Sequence, residues 1–257
     1  MSRSSSRPAG QPVRLVVNGC CGRMGTLIVE EAGRDKRAFR LVGGVEDAAH
    51  PQSGKPHPAN PSLKVSGDLG AVLKAGADLV IEFTTPEATM DHVRVIREMK
   101  KPMVIGTTGL GAEQLQAIQE AARHTPILLS PNMSVGVNLL FELVRLAAER
   151  LPDYKVTIEE THHAGKKDAP SGTAKRLQDV IGKIKQETIP CESKRIGDVV
   201  GEHAVTLTGK FEKVTLSHEA FNRDVFALGA LRAAQFLARV KKPGLYDMSD
   251  VLKDSKS

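Results

Sequence analysis

At 257 residues and 40% hydrophobic content, the chain can bury one large core or two ordinary ones, and two domains are expected. Its formal charge of +6 favours an anionic partner, yet basic residues come at most in pairs, and two Tyr with no Trp offer no platform for bases; a nucleic-acid partner gives way to a small polyanionic ligand. No apolar run is long enough for a membrane span, the first dozen residues read as a frayed tail without a signal core, and three cysteines lacking a CxxC form neither a disulfide framework nor a metal pattern, which fits a reducing cytoplasm.

Residues 13–17 read as a short buried strand that runs into Asn18-Gly19-Cys20-Cys21-Gly22-Arg23-Met24-Gly25, and Met24, Leu27, Ile28 and Ala32 then fall at helical spacing. Strand, glycine turn and helix open a dinucleotide-binding unit. The glycines at 19, 22 and 25 suit a tight turn, close approach of a pyrophosphate and close helix packing, in GxxGxxG rather than GxGxxG spacing. A second strand, 39–45, ends at Glu46-Asp47, where an acid can accept hydrogen bonds from ribose hydroxyls. Residues 48–61, rich in Pro, Gly and Ser, read as a mobile loop with His50 and His57 in solvent. Strands at 77–83, 102–105 and 127–129 alternate with helices at 87–99 and 112–123. They end in Thr84-Thr85-Pro86, Gly106-Thr107-Thr108-Gly109 and Ser130-Pro131-Asn132-Met133. The alternation predicts an α/β fold of Rossmann type, a parallel sheet with helices on both faces and ligands beyond the carboxyl ends of the strands.

After Met133 the pattern changes. A helix over 137–151 leads to a strand at 154–161, and alternating stretches at 203–208 and 213–218 predict a second, α+β domain with a mixed or antiparallel sheet. An amphipathic helix at 224–240 could return to the first domain. The expected division is 1–133 with 222–257 for the dinucleotide, and 134–221 for substrate binding and oligomerisation. Most of the proton chemistry gathers in His162-His163-Ala164-Gly165-Lys166-Lys167-Asp168-Ala169-Pro170-Ser171-Gly172-Thr173. Neighbouring strand residues point to opposite faces, so His162 and His163 should have different jobs. Beyond Pro170, Ser171, Gly172 and Thr173 offer hydroxyls and free N–H groups at the start of a helix at 174–185, which attracts a carboxylate or phosphate.

These motifs closely resemble the 4-hydroxy-tetrahydrodipicolinate reductase (dihydrodipicolinate reductase) family of lysine and diaminopimelate biosynthesis. The resemblance rests on Gly22-Arg23-Met24-Gly25, Gly106-Thr107-Thr108-Gly109, Asn132-Met133-Ser134-Val135-Gly136-Val137-Asn138, residues 160–173, and Gly244-Leu245-Tyr246-Asp247-Met248, in order over nearly the whole chain. It implies hydride transfer from NAD(P)H to a small cyclic imine dicarboxylate, with a hydroxyl lost as water. By the same resemblance His162 is a proton donor or acceptor, Lys166 a proton donor, and His163, Gly172 and Thr173 hold substrate, with Ser171 at the same helix start. Physically this fits, because hydride addition to a conjugated imine builds negative charge that a nearby acid must quench. The dinucleotide is implied to run along Gly19, Cys20, Cys21, Gly22, Arg23, Met24, Glu46, Gly106, Thr107, Thr108, Ser130, Pro131, Asn132 and Met133. A homotetramer is also implied; strand edges and apolar faces in the second domain by themselves support only an oligomer.

Two departures from relatives bear on the cofactor. Cys20-Cys21 stands where Ala-Gly would be unsurprising, so the backbone rather than the thiols is expected to matter. Asp47 follows Glu46 where some relatives carry an arginine for the 2′-phosphate, so NADH is expected to be preferred, with NADPH usable because Arg23 offsets part of the repulsion. Three other functions stay open. An amino-acid or semialdehyde dehydrogenase would want a nucleophilic thiol, for which only Cys191 is available in the second domain. A nucleotide sensor would not need His162 and Lys166. A metal hydrolase is poorly served by adjacent, diverging histidines, and no metal is expected.

Overall fold

The computed structural model describes residues 10–254, so the expected tail falls mostly outside the described range. In chain order, β1 (Val13–Asn18), α1 (Arg23–Arg34), β2 (Phe39–Val45), β3 (Pro56–His57), β4 (Asn60–Ser66), α2 (Leu69–Lys74), β5 (Leu79–Glu82), α3 (Pro86–Met99), β6 (Met103–Ile105), α4 (Ala112–Ala122) and β7 (Pro126–Leu129) come first. There follow α5 (Val135–Arg150), β8 (Lys155–His162), α6 (Gly172–Lys185), β9 (Cys191–Arg195), β10 (Gly201–Thr208), β11 (Lys213–Ala220), α7 (Asp224–Leu237), β12 (Gly244–Tyr246) and α8 (Met248–Lys253). Among the described residues two compact units result, one running to Ser130 and taking in Ala227–Asp247, the other Pro131–Phe226 with Met248–Lys253. No helix among the described residues is long and apolar enough to cross a membrane.

The first unit is an eight-stranded sheet in the order β12-β7-β6-β5-β1-β2-β4-β3, parallel except for β3 against β4. Alternation inside each short strand fills both faces. Val16, Val80, Met103, Ile105 and Ile127 pack with Val93 and Ile96 of α3 and Ile118 of α4, while Leu15, Val17, Leu79, Ile81, Val104 and Leu128 are buried as well. Each such aliphatic side chain contributes about 1.5–3 kcal/mol on burial. Helix ends follow local chemistry: Thr85 caps α3 through Ala88 N–H, with Pro86 in its first turn.

Residues 48–61 are not the mobile, solvent-filled loop that their composition predicts. The segment reaches a short antiparallel pair, β3 with β4, and His57 is 1% exposed. Its Nε2 lies 2.9 Å from the Cys20 carbonyl oxygen and its Nδ1 accepts from Ala59 N–H at 3.2 Å. The hairpin hides from sequence because only Leu63 and Val65 of β4 alternate inward.

The second unit is a four-stranded sheet, β11-β10-β8-β9, antiparallel except for β8 with β9. Helices α5 and α6 cover one face through Leu140, Val144, Leu177 and Ile181, which meet Val156, Ile158, Val205 and Leu207. Helix α8, expected with the dinucleotide unit, belongs here instead: it packs against α5, with Met248 and Val251 buried.

Candidate active site

In the first unit the strand order reverses between β5 and β1, and the glycine turn follows β1 there. Gly19 has φ +71°, and a Cβ on it would lie 2.3 Å from the Phe83 carbonyl oxygen. Gly25 must be bare for a different reason, since its Cβ would meet the Gly19 carbonyl oxygen at 1.9 Å. Gly22 is the N-cap of α1 and brings no side chain to the first-turn N–H groups, which leaves them to an anion. Glu46, just past β2, accepts from Cys21 N–H at 2.6 Å. Asp47 is exposed and accepts from Ala49 N–H at 2.7 Å, while Arg23 is exposed at the first position of α1. Burial pushes the thiols of Cys20 and Cys21 up, so neither is activated.

Below this turn, Glu82 is fully buried, accepting from Asn18 Nδ2 at 2.6 Å and facing His92 Nδ1 at 2.9 Å. Burial lowers the His92 pKa, but the bond to Glu82 outweighs it and the net shift is upward. Thr107 is buried, its Oγ1 accepting from Thr89 Oγ1 at 2.8 Å and Thr84 N–H at 3.3 Å, while Thr108 is exposed. The Phe83 ring occupies the space that a Cβ on Gly106 would need, 2.2 Å away.

The helix-covered face of the second sheet is apolar at one end and ionisable at the other. Past the row of Ile158 and Val205, the next cross-strand row reads His218, His203, Glu160 and Ser193, and beyond it His162 pairs with Arg195. The buried Glu160 carboxylate accepts from His162 Nδ1, from Arg195 Nη2 at 2.8 Å and from Ser171 N–H at 3.3 Å. Burial alone would raise its pKa, but the bonds from Arg195, Ser193 and His162 prevail and hold it at about 2. The His162 pKa is pushed down, chiefly by burial, with Lys166 and Arg195 adding to the fall against the pull of Glu160. His162 is therefore neutral at neutral pH, and with Nδ1–H given to Glu160 its lone pair sits on Nε2. That edge faces Gly201, where a Cβ would lie 3.1 Å from Nε2. His203, with its ring edge-on at 5.1 Å from that of His162, is pushed down to about 3 by burial and by the charges His162 and His218 would carry.

Strand β8 ends at His162, so His163 begins the loop and is only half-buried. Lys166 Nζ pairs with Asp168 Oδ1 at 2.8 Å, and Arg195 Nη2 donates to the Asp168 carbonyl. The Lys166 ammonium holds the Asp168 carboxyl below its usual range. Ser171, expected to bind substrate, has its polar groups engaged internally: it is 1% exposed, caps α6 through Ala174 N–H at 3.2 Å and meets His203 Nε2 at 3.2 Å. Gly172 faces open space at the first position of α6, and the Thr173 hydroxyl accepts from Asn132 Nδ2 at 3.0 Å. Asn132, expected along the cofactor, here ties the start of α5 to that of α6, its Oδ1 accepting from Ser134 N–H at 2.9 Å. Ser130 and Met133 are buried and Pro131 is exposed.

Two groups bring possible metal-ligand atoms within 4.8 Å of one another: Cys20, Cys21 and His57, and Glu160, His162 and His203. The cluster joins His162 to His203, from another strand, and does not include His163, which lies past the end of β8. Neither group suits a cation. His57 has both ring nitrogens engaged, and Glu160 already serves Arg195 with Lys166 close by. Cys191 is no better placed as a nucleophile, since burial, then Glu160, raises its pKa.

Comparison with known proteins decides the family. The model described as "Dihydrodipicolinate reductase, N-terminus" matches residues 13–133, and the model "Dihydrodipicolinate reductase, C-terminus" matches residues 136–252. The chain belongs to the dihydrodipicolinate reductase family. It is 40% identical to the 4-hydroxy-tetrahydrodipicolinate reductase of Syntrophus aciditrophicus, over 93% of this chain and 98% of that one. It is 43% identical to the enzyme of the same name from Anaeromyxobacter dehalogenans, over 93% and 97%. Its fold is similar to that of dipicolinate-bound dihydrodipicolinate reductase from Paenisporosarcina sp. TG-14, with TM-score 0.77, 25% identity, and 92% and 97% of the two chains covered.

For this reductase, sequence reasoning gave no role to Glu160, Arg195, His203, Asn18, Glu82 or His57. Glu160 carried a signal, because it lies two residues before His162 on the same strand face. Arg195 and His203 carried none, since only the sheet register brings β9 and β10 to that spot.

Proposed function

We propose that this chain reduces 4-hydroxy-tetrahydrodipicolinate to tetrahydrodipicolinate, with water lost, in lysine and diaminopimelate biosynthesis. The observation that carries this reading is His162 Nδ1 held on the buried Glu160 carboxylate, with Lys166 held by Asp168 in the loop that follows, in a chain that matches both halves of the reductase family. NAD(P)H, when bound, supplies the hydride. His162 takes through Nε2 the proton from the carbon beside the one that bears the hydroxyl and returns it to the departing oxygen, so that water leaves and a conjugated imine forms. Hydride then adds to the carbon that lost the oxygen, and Lys166, held by Asp168, donates a proton to the anion this builds and is reprotonated from solvent. His163 and the Gly172 and Thr173 end of α6 hold a substrate carboxylate, while Ser171 keeps that helix start in shape. On the first unit, Gly19, Cys20, Cys21, Gly22, Arg23 and Met24 with Glu46, residues 106–108 and Ser130 hold the dinucleotide; Pro131, Asn132 and Met133, which the family resemblance also assigns to it, belong to the second unit.

Within that reading NADH is preferred and NADPH is usable. Glu46 already lies against the turn and Asp47 is beside it, so a 2′-phosphate would meet two carboxylates, with exposed Arg23 offsetting part of the cost. Like charges a few ångströms apart near a surface repel by several kcal/mol before screening, and the residue left after Arg23 corresponds to about tenfold. The protein works in the cytoplasm as a homotetramer built through the second unit, four being the number the family resemblance supplies. Among the described residues β11 and β9 pair on one side only, and Phe211 and Phe221 are 89% and 85% exposed. The sheet face away from the helices carries Lys155, Thr157, Thr206 and Thr215, so apolar cover is needed at its rim rather than across it. The deciding experiment mixes the protein with the condensation product of pyruvate and aspartate semialdehyde and follows NADH or NADPH. Oxidation of either is expected; a folded protein that oxidises neither would end this reading.

A further inference from the structure

Glu160 has no place in the proton-transfer steps above, yet its buried carboxylate is bonded from several sides. Its carboxylate is wholly buried and gathers His162, Arg195, the Ser171 N–H and Ser193. Arg195 reaches further. The same Nη2 that serves Glu160 donates to the Asp168 carbonyl, and the Asp168 carboxylate holds Lys166 Nζ. One guanidinium thus joins the strand that carries His162 to the loop that carries Lys166. On its other edge, the buried His162 ring approaches Gly201, where a Cβ would lie 3.1 Å from Nε2.

We propose that Glu160 and Arg195 are the positioning pair of the reaction: Glu160 keeps His162 in its Nδ1–H tautomer with the Nε2 lone pair directed past Gly201, and Arg195 locks the Lys166 loop to the same carboxylate. This rests on the assignment of His162 and Lys166 as the proton-transfer groups. A carboxylate that accepts from Nδ1 selects the tautomer, because the reversed imidazole would present a lone pair to an anion. An amide at 160 removes that selection, since its NH2 can donate to an unprotonated Nδ1. The charged and titratable groups that face His162 are Glu160 on its own strand, Arg195 on β9, His203 on β10 and Lys166 in the loop. Only Glu160 among these described groups is an anion, so none of the others can take over this role.

The test begins with the unmodified protein. Histidine labelled with 15N reports which ring nitrogen carries the proton, and the His162 signal is assigned by its loss in His162→Gln. The expected result at neutral pH is a protonated Nδ1 and a bare Nε2; a protonated Nε2 in the neutral ring would overturn the proposal. Glu160→Gln should populate the other tautomer and lower kcat by on the order of 10², with KM changing little, because binding groups are untouched. Arg195→Lys keeps the charge but not the fork, and should lower kcat about tenfold while the His162 tautomer stays. Should Glu160→Gln lose its fold, the tautomer in the unmodified protein and the Arg195→Lys kinetics still decide. His162→Ala separates the two levels. If it is crippled while Glu160→Gln keeps both kcat and the tautomer, the positioning role fails and the proton-transfer assignment stands; if His162→Ala is as active as the parent, the assignment itself fails.

Discussion

Replacing His57 by Leu removes a side chain that ties the β3–β4 hairpin to the glycine turn, while keeping a side chain of similar bulk. The Cys20 carbonyl loses its 2.9 Å donor and retains only Thr26 Oγ1 at 3.4 Å, and Ala59 N–H loses its acceptor. A lost hydrogen bond costs about 1 kcal/mol net, and a buried polar group left without a partner about 1–3 kcal/mol. Ala59 is exposed and its N–H can turn to water, so the larger share falls on the Cys20 carbonyl and the sum is about 2–3 kcal/mol. In a chain of this size each kcal/mol moves Tm by about 2–4 °C, which makes the expected drop about 4–12 °C. Roughly half the loss acts on the turn itself, and about 1.4 kcal/mol there weakens NADH about tenfold. Calorimetry gives the first figure, a fluorescence titration with NADH the second, and kcat at saturating cofactor should not move. His50→Leu is the control, because His50 only accepts from Gln52 N–H at 3.2 Å and reaches no turn residue. A His57→Leu protein with the parental Tm and NADH affinity would show that the hairpin does not brace the turn.

Substituting His162 or Lys166 by Ala should lower kcat by on the order of 10², whereas His163→Ala should mainly raise KM, and steady-state kinetics on the three variants would expose any inversion of that order. Comparing kcat/KM for the two cofactors should favour NADH about tenfold, and Asp47→Arg should move the ratio toward NADPH; a clear NADPH preference in the parent means Arg23 outweighs both acids. Light scattering at micromolar concentration should give a tetramer, and a monomer would remove the assembly from the account. Acid should destabilise the protein, and the two largest downward shifts, at His203 and Glu160, set the windows. His203, at about 3, stays neutral while the unfolded imidazole charges, so its contribution is complete above about pH 6.5 and is lost as pH falls toward 3. Glu160, at about 2, acts in the same direction below about pH 4.3. Urea midpoints should therefore fall from about pH 6.5 downward, His203→Gln should flatten the upper part of that slope, and a flat parental curve would contradict both shifts.

The Rossmann-type sheet was legible because its strands are short, buried on both faces and punctuated by glycine, threonine and proline turns. Gly19, Gly22 and Gly25 could be given separate duties from spacing alone, and the structure gives Gly19 and Gly25 distinct steric reasons to be bare. Composition misled at 48–61, where Pro, Gly and Ser suggested mobility and the deciding residue, His57, binds a carbonyl 37 positions away. Such a contact leaves no periodic trace. The helix start at Ser171 was visible as a cap from the Ser-Gly-Thr run, whereas its burial and its bond to His203 depend on a strand 32 positions away and left no mark in the sequence.

The row across β11, β10, β8 and β9 shows why the second unit's chemistry could be only half seen. On β8 the inward positions run Val156, Ile158, Glu160, His162, so one alternation carries the core and then the site. The desolvation of a buried carboxylate and its guanidinium costs several kcal/mol, and well-packed apolar side chains of similar volume are often as stable or more so. Stability therefore does not explain Glu160 and Arg195. What an apolar pair could not do is choose between the two nitrogens of His162 or hold the Asp168 carbonyl, and these are the two services the network performs at the point where the strand gives way to the loop of Lys166. The ionisable end of the sheet is bought with stability that the apolar end, Ile158 with Val205 and Leu177 behind it, has to supply.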